Sequence, residues 1–142
     1  MLLKKISFLA LIIIASLTAC KKDSTSTDNA VLLTTGKWKL TAETTGTIDT
    51  YKNYGACEKD DTWTFGADGK LTLDEGATKC SASDPQTSVG AWAFSGAEKK
   101  KLIITASGFA VTVDIVTLDA STLKWSETDA STKIVTTQTF SR

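Results

Sequence analysis

Alternation of apolar and polar side chains along most of the chain is the feature that most constrains its fold. In run after run, apolar residues stand two positions apart, with Thr or a charged residue between many of them. This period predicts strands with one buried face, because successive side chains of a strand point to opposite sides. The apolar positions of these runs, before a last run at 133–140, are Trp38, Leu40, Ala42, Trp63, Phe65, Leu71, Leu73, Trp92, Phe94, Leu102, Ile104, Phe109, Val111, Val113, Ile115, Leu123 and Trp125.

Short turn signals separate the runs, among them Asp68-Gly69, Ser107-Gly108 and Asp119-Ala120-Ser121. Gly, Asp and Ser supply the backbone angles that tight hairpins require, and connections this short join only antiparallel neighbours. The predicted fold class is therefore all-β, an antiparallel up-and-down meander. Closure would remove both exposed edges of the sheet, so we expect about eight to nine strands in a closed or nearly closed barrel. Only residues 29–34 suggest a helix, as a short lead-in to the first strand.

The first 20 residues predict an export signal that ends in a lipid-bearing cysteine. Lys4 and Lys5 precede an apolar stretch at 6–17, which has the length of a signal-peptide core and is shorter than the roughly 20 residues that span a bilayer. The sequence Leu17-Thr18-Ala19-Cys20 resembles the lipobox of bacterial lipoproteins, in which the Cys receives a diacylglycerol and becomes the first mature residue. We therefore expect a signal peptide at 1–19, a lipidated flexible tether at 20–30 and one folded domain at 31–142.

This organisation makes a membrane the first expected partner and places the domain in the bacterial cell envelope, on the outer membrane. Whether it faces the periplasm or the cell surface stays open. Loss of Lys4 and Lys5 with the signal lowers the 16 basic residues to 14 against 16 acidic ones, a formal charge of −2. Because a nucleic-acid binder shows a basic face, no nucleic-acid partner is expected. The oligomeric state also stays open, with a monomer as the expectation.

Two cysteines remain after Cys20, and an even number in an oxidising exported compartment predicts a disulfide between Cys57 and Cys80. The chain contains no His, which removes the usual zinc ligand and the base of Ser-His-Asp and Cys-His sites. The acidic pairs 60–61 and 74–75 occupy adjacent positions, which point to opposite faces of a strand. Asp60 or Asp61 is expected to cap the turn after Cys57 instead. No catalytic site, metal or cofactor is predicted.

Gly36-Lys37-Trp38, at the beginning of the first strand, matches the G-x-W motif that opens lipocalins and related barrels. The order of lipobox, tether, G-x-W, Cys57 to Phe65, Asp68-Gly69, second Cys and chain end resembles the lipocalin-like domain lipoproteins of Bacteroidota over residues 32–142. The resemblance implies a lipocalin-like barrel whose closed end holds the motif Trp, with an arginine from the last strand packed on it. Arg142, the only arginine, is expected in that role against Trp38, with Gly36 in the same barrel floor.

The inward apolar positions are the candidate lining of a ligand pocket. An eight-stranded barrel has an interior that its own side chains can fill or that can hold one small ligand, and the alternation does not distinguish these cases. All candidates are apolar, which favours a small, mainly apolar ligand. They are Trp63, Phe65, Leu71, Leu73, Trp92, Phe94, Leu102, Ile104, Val111, Val113, Leu123 and Trp125.

Two functions therefore stay open at this point. The first is a membrane-anchored, lipocalin-like protein that binds a small apolar molecule inside the barrel. The second is a solid-cored barrel that displays loops such as 76–89 and acts as a protein- or glycan-interaction or inhibitor module. A sizeable void that opens at one end favours the first function, and a filled interior favours the second.

Overall fold

A computed structural model describes residues 28–142. The predicted signal peptide, Cys20 and most of the predicted tether lie outside the described residues. The helix expected at 29–34 is confirmed, so Asn29 and Ala30, which the predicted tether included, belong to this helix. The elements are α1 (Asn29–Thr34), β1 (Trp38–Thr45), β2 (Ile48–Asp49), a 3-10 turn (Tyr51–Asn53), α2 (Ala56–Lys59), β3 (Thr62–Phe65), β4 (Lys70–Asp74), β5 (Thr87–Ser95), β6 (Lys101–Ala106), β7 (Phe109–Leu118), β8 (Thr122–Thr128) and β9 (Val135–Ser141).

All strands belong to one antiparallel sheet that closes on itself. The strand order is β2-β1-β3-β4-β5-β6-β7-β8-β9, and β1 also pairs with β9. β2 pairs with only two residues at the end of β1, so eight strands close the barrel and β2 is a short addition. The predicted all-β meander and its closure into a barrel are confirmed. Within residues 28–142, no helix is long and apolar enough to cross a membrane.

The hydrophobic core occupies the interior of the barrel, because the register aligns the apolar positions of neighbouring strands. Trp38 stands opposite Trp63, and Trp63 stands opposite Leu73. Residues paired in this way point to the same face of the sheet. The buried core residues are Leu33, Trp38, Leu40, Phe65, Leu71, Leu102, Ile104, Val113, Leu123, Trp125 and Phe140.

A β-bulge in β1 changes which side chains face the interior. The register of β1 against β9 shifts between Leu40 and Ala42, and beyond the shift Glu43 stands opposite Gln138. One extra residue inverts the alternation of a strand. The prediction that Ala42 faces the core is therefore wrong, since Ala42 is exposed.

Phe109 was also expected in the core, and its side chain is 81% exposed. It stands at the beginning of β7, beside the turn at 107–108. The pairing of β7 with β8 begins only at Asp114, opposite Ser126. The hairpin of β6 and β7 therefore extends past the end of β8, and β8 does not reach Phe109.

The two ends of the barrel are closed to different degrees. The end that we call the floor is covered by α1, whose Asn29 side chain donates to the Lys99 carbonyl at 3.0 Å. The turns at 96–100 and 119–121 lie at the floor. The turn at 107–108 and the loop at 129–134 lie at the opposite end, which we call the mouth.

Arg142 and Trp38 seal the floor. The guanidinium carbon of Arg142 lies 4.3 Å from the centre of the Trp38 ring, the placement that the G-x-W resemblance implied. One nitrogen of Arg142 donates to the Leu32 carbonyl at 2.8 Å, and the Trp38 indole donates to the Leu33 carbonyl at 2.9 Å. Gly36 has a φ of +81°, a conformation that favours glycine. The motif therefore ties the beginning of β1 to the chain end.

Candidate functional site

A cavity of about 100 Å³ lies inside the barrel toward the mouth. The cavity extends outward to Glu127 and Thr136, which pair with each other across β8 and β9. Glu127 lies one residue before the end of β8, and Thr136 lies one residue after the beginning of β9. We call this space the mouth cavity. It is lined by Trp63, Ile104, Val111, Val113, Trp125, Glu127, Thr136 and Gln138.

Five of the twelve predicted lining residues meet in the mouth cavity, namely Trp63, Ile104, Val111, Val113 and Trp125. The others pack in or against the core between the cavity and the floor, where aromatic rings fill the space. The centres of the Trp125 and Phe140 rings lie 4.5 Å apart. The Trp92 indole donates to the Gly66 carbonyl at 2.9 Å, in the turn between β3 and β4 at the floor. The seven residues that do not line the mouth cavity are Phe65, Leu71, Leu73, Trp92, Phe94, Leu102 and Leu123.

The size of the mouth cavity limits what it can enclose. Pockets that bury a drug-sized ligand have volumes of roughly 300–1,000 Å³, whereas this one has about 100 Å³. An engineered apolar cavity of roughly 150 Å³ is known to hold benzene. The mouth cavity is smaller than that, so it can enclose at most about one small ring or a short branched chain, and any larger part of a ligand would extend out through the mouth.

The sequence reasoning missed the polar members of the lining. Glu127 continues the alternation of Leu123 and Trp125, and Gln138 continues that of Phe140 toward the mouth. The same alternation therefore indicates that polar positions toward the mouth also face inward. The mouth cavity is therefore apolar at its base and polar at its rim.

A chain of hydrogen bonds fixes one wall of the mouth cavity. The Trp125 indole donates to Gln138 Oε1 at 2.8 Å, and Gln138 Nε2 donates to Glu43 Oε2 at 2.6 Å. Tyr54 and Thr50 each donate a hydroxyl to the Glu43 carboxylate at 2.8 Å. Three donors thus converge on Glu43, and both polar ends of the Gln138 amide have partners. This arrangement holds the Trp125 ring in place before any ligand arrives.

The network keeps Glu43 ionised although the side chain is partly buried. Desolvation raises the pKa of Glu43, but hydrogen bonds from Gln138, Thr50 and Tyr54 outweigh it and bring the pKa below its ordinary value. The same surroundings raise the pKa of Tyr54 to about 12, chiefly through desolvation and its hydrogen bond to Glu43. A fixed negative charge therefore stands directly behind Gln138.

A second structural feature joins α2 to the segment between β4 and β5. Cys57 and Cys80 form the predicted disulfide, with their Cα atoms 5.2 Å apart. Asp60 Oδ2 accepts hydrogen bonds from the backbone N–H groups of Ala77 at 2.9 Å and Thr78 at 3.0 Å. Asp60 therefore caps the loop after β4 and not the turn after Cys57, a correction to the prediction.

Asp61 lies in the most acidic part of this region. Desolvation, followed by the charges of Glu75, Asp60 and other nearby carboxylates, raises the pKa of Asp61 to about 6. Its Oδ1 atom is buried and has no hydrogen-bond partner in the part of the chain that the structure describes. Among residues 28–142, no three Cys, Asp or Glu side chains form a group that could hold a metal ion. The acidic region thus bears on stability, and we assign it no ligand.

These observations define the class of protein, an eight-stranded antiparallel barrel with a sealed floor and a cavity at its mouth. The family model for the lipocalin-like domain matches residues 34–125. Since the match spans more than half of the 142 residues, this chain belongs to the lipocalin-like domain family. No curated protein sequence matches the chain.

Proposed function

We propose that this protein is a lipid-anchored binding protein of the bacterial cell envelope, which takes a small molecule into the mouth of its barrel. The observation that supports the proposal best is the mouth cavity itself. It combines the apolar surfaces of Trp63 and Trp125 with a polar rim. Ligand sites are typically built this way, with an apolar lining and a few polar groups that orient the ligand.

The dimensions of the mouth cavity indicate how tightly a minimal ligand would bind. A single ring with one substituent has about eight heavy atoms, and at about 0.5 kcal/mol per atom it would gain about 4 kcal/mol. This corresponds to a dissociation constant of about 1 mM. Tighter binding requires a larger ligand whose remaining atoms contact the residues around the mouth.

Filling the mouth cavity with a protein side chain tests this proposal. Val111→Phe adds a ring inside the cavity, whereas Val116→Phe adds the same ring on the outward face of β7, where Val116 is 56% exposed. Benzyl alcohol should change the tryptophan emission of the parent protein and of the Val116 variant, and it should leave the Val111 variant unchanged. Equal responses of a folded Val111 variant and the parent would contradict binding in the mouth cavity.

Lipid attachment at Cys20 belongs to the same proposal and is supported by the order of residues 4–20. The described fold begins at Asp28, immediately before α1, and α1 covers the floor. The tether therefore joins the barrel at the end away from the mouth cavity. An anchor placed there leaves the mouth open to ligands, whether the domain faces the periplasm or the cell surface.

Loop display is the second candidate function, and one observation favours it. The segment between β4 and β5 is exposed at 82–86, yet the disulfide and Asp60 hold its first half. Such a restrained loop loses little conformational entropy when a protein or glycan binds. A ligand screen that fails on the parent protein, together with a partner that protects this loop from proteolysis, would favour loop display.

A further inference from the structure

We propose that the ligand of the mouth cavity carries a positive charge, an ammonium group held at the rim beside Glu127. This inference rests on the proposed binding function and specifies the chemical class of the ligand. Its apolar part would occupy the space between Trp63 and Trp125, and its cationic end would face the polar rim.

The charges of the lining support a cationic partner. Among residues 28–142, Glu127 is the one ionisable residue that lines the mouth cavity, and no Lys or Arg of this part of the chain lines it. Within residues 28–142, the ion pairs involve other carboxylates and leave Glu127 without a cation. Lys133, in the loop after β8, donates its ammonium group to the Ala130 carbonyl at 2.7 Å. The carboxylate of Glu127 is therefore available to a ligand.

Glu43 adds a second negative charge, which lies behind Gln138 in the cavity wall. Its three hydrogen-bond donors are neutral groups, so they stabilise the charge without cancelling it. Gln138 separates Glu43 from the cavity and has its amide oriented by the carboxylate and by Trp125. Two carboxylates thus act on the same space, which attracts a cation and disfavours an anion.

The tryptophans supply the apolar contacts that such a ligand needs. The indole N–H of Trp125 is committed to Gln138, so Trp125 offers the ligand the carbon surface of its ring. An ammonium group near an indole gains from the ring quadrupole as well as from a carboxylate, which is how aromatic cages recognise organic amines. With about 100 Å³ of space, the apolar part is one ring or a short branched chain.

Three probes of similar shape test this inference, namely benzylamine as a cation, benzyl alcohol as a neutral molecule and benzoate as an anion. Their affinities for the whole folded domain are measured by the change in tryptophan emission at pH 7. We expect benzylamine to bind roughly three- to tenfold more tightly than benzyl alcohol, and benzoate to bind most weakly. The preference for the amine should shrink as salt is added, because the rim is open to solvent.

Two variants separate the role of Glu127 from general charge effects. Glu127→Gln keeps the shape of the side chain and should reduce the preference for benzylamine over benzyl alcohol to within about twofold. Glu98→Gln removes a carboxylate at the floor and should leave the preference unchanged.

The inference is overturned if the parent binds benzyl alcohol as tightly as benzylamine, or if folded Glu127→Gln keeps the full preference. Either result leaves the proposed binding function standing. Failure of all three probes to bind the parent at millimolar concentration would instead count against the binding function, and the inference would fall with it.

Discussion

Arg142 stabilises the floor through both its charge and its hydrogen bonds. Its guanidinium lies over the Trp38 ring and also donates to the backbone carbonyls of Leu32, Thr35, Asp119 and Ala120. These carbonyls belong to α1, to the residues after it and to the turn between β7 and β8. A single side chain thus joins α1 and the turn between β7 and β8 to the end of β9.

Arg142→Ala should lower the free energy of unfolding by about 1 to 2 kcal/mol, because a cation–ring contact and several hydrogen bonds are lost together. Arg142→Lys should restore only part of this, since an ammonium cannot stack and donate in several directions as the planar guanidinium does. Urea denaturation measures both changes. Lys100→Ala, at an exposed surface pair with Glu98, is the control and should change little. An Arg142→Ala protein as stable as the parent would contradict this account.

The contact between Trp38 and Arg142 could be predicted from the sequence, because it follows from the G-x-W motif and from the single arginine. Glu43 was not predicted, since its inward direction depends on the bulge between Leu40 and Ala42. A bulge is decided by how β1 fits against both of its neighbours. Local alternation in one strand carries no sign of it.

Among the elements, α2 and the loop after β4 depend on covalent and polar links more than on packing. The disulfide between Cys57 and Cys80 closes a loop with a sequence separation of 23, which on the loop-entropy estimate contributes about 3.5 kcal/mol to stability. Gly76 has a φ of +67°, and a Cβ there would lie 2.5 Å from the Asp60 carbonyl oxygen. The parity of the cysteines predicted the bond, whereas the fit of Gly76 against Asp60 required the folded chain.

Asp61 makes stability depend on pH in this element. Its pKa in the folded protein, about 6, lies above the ordinary value of 3.8 for an Asp carboxyl. The folded state therefore binds more protons between about pH 4 and pH 6, and the free energy of unfolding contributed by Asp61 falls as the pH rises through that window. Asp61→Asn removes this penalty. The variant should be more stable than the parent at pH 7 by about 1 kcal/mol, after allowance for solvent screening.

The measurement is urea denaturation of parent and variant at several values between pH 4 and pH 7, and the difference between them should vanish toward pH 4. Other acids contribute to the pH dependence with the opposite sign, and these contributions cancel because parent and variant share them. Asp129 is one such acid, and the hydrogen bonds that it accepts from Ser131 and Thr132 lower its pKa. Asp84→Asn, in the exposed loop, serves as the control. A difference that stays constant across the pH range would exclude Asp61 as its source.

For the whole molecule, alternation and turn signals were sufficient to predict a closed antiparallel barrel, because a meander of this length has few other ways to protect its edges. They could not predict where the interior is filled. That depends on how the rings of Phe65, Trp92, Trp125 and Phe140 pack together, and side-chain packing of this kind is not encoded in the period of two. Seven of the twelve predicted lining residues therefore lie outside the mouth cavity, and its polar members were not predicted.

The proposed membrane anchor depends on Cys20, which lies outside the described residues. Cys20→Ala should prevent lipid attachment, so the protein should appear in the soluble fraction or accumulate as an unprocessed precursor. Fractionation of the natural host and mass analysis of the N-terminus measure both outcomes, with Ser24→Ala in the predicted tether as the control. A Cys20→Ala protein that is still cut before residue 20 and still fractionates with membranes would contradict the anchor.

The most direct test of binding at the mouth uses the four tryptophans as reporters in a two-dimensional ¹H–¹⁵N spectrum during titration with benzylamine. Trp63 and Trp125 line the mouth cavity, whereas Trp38 and Trp92 donate their indole N–H groups to carbonyls at the floor. We predict saturable shifts of the Trp63 and Trp125 indole signals, with those of Trp38 and Trp92 nearly unchanged. Shifts confined to Trp38 and Trp92, or no saturable shift at Trp63 and Trp125, would contradict a binding site at the mouth of the barrel.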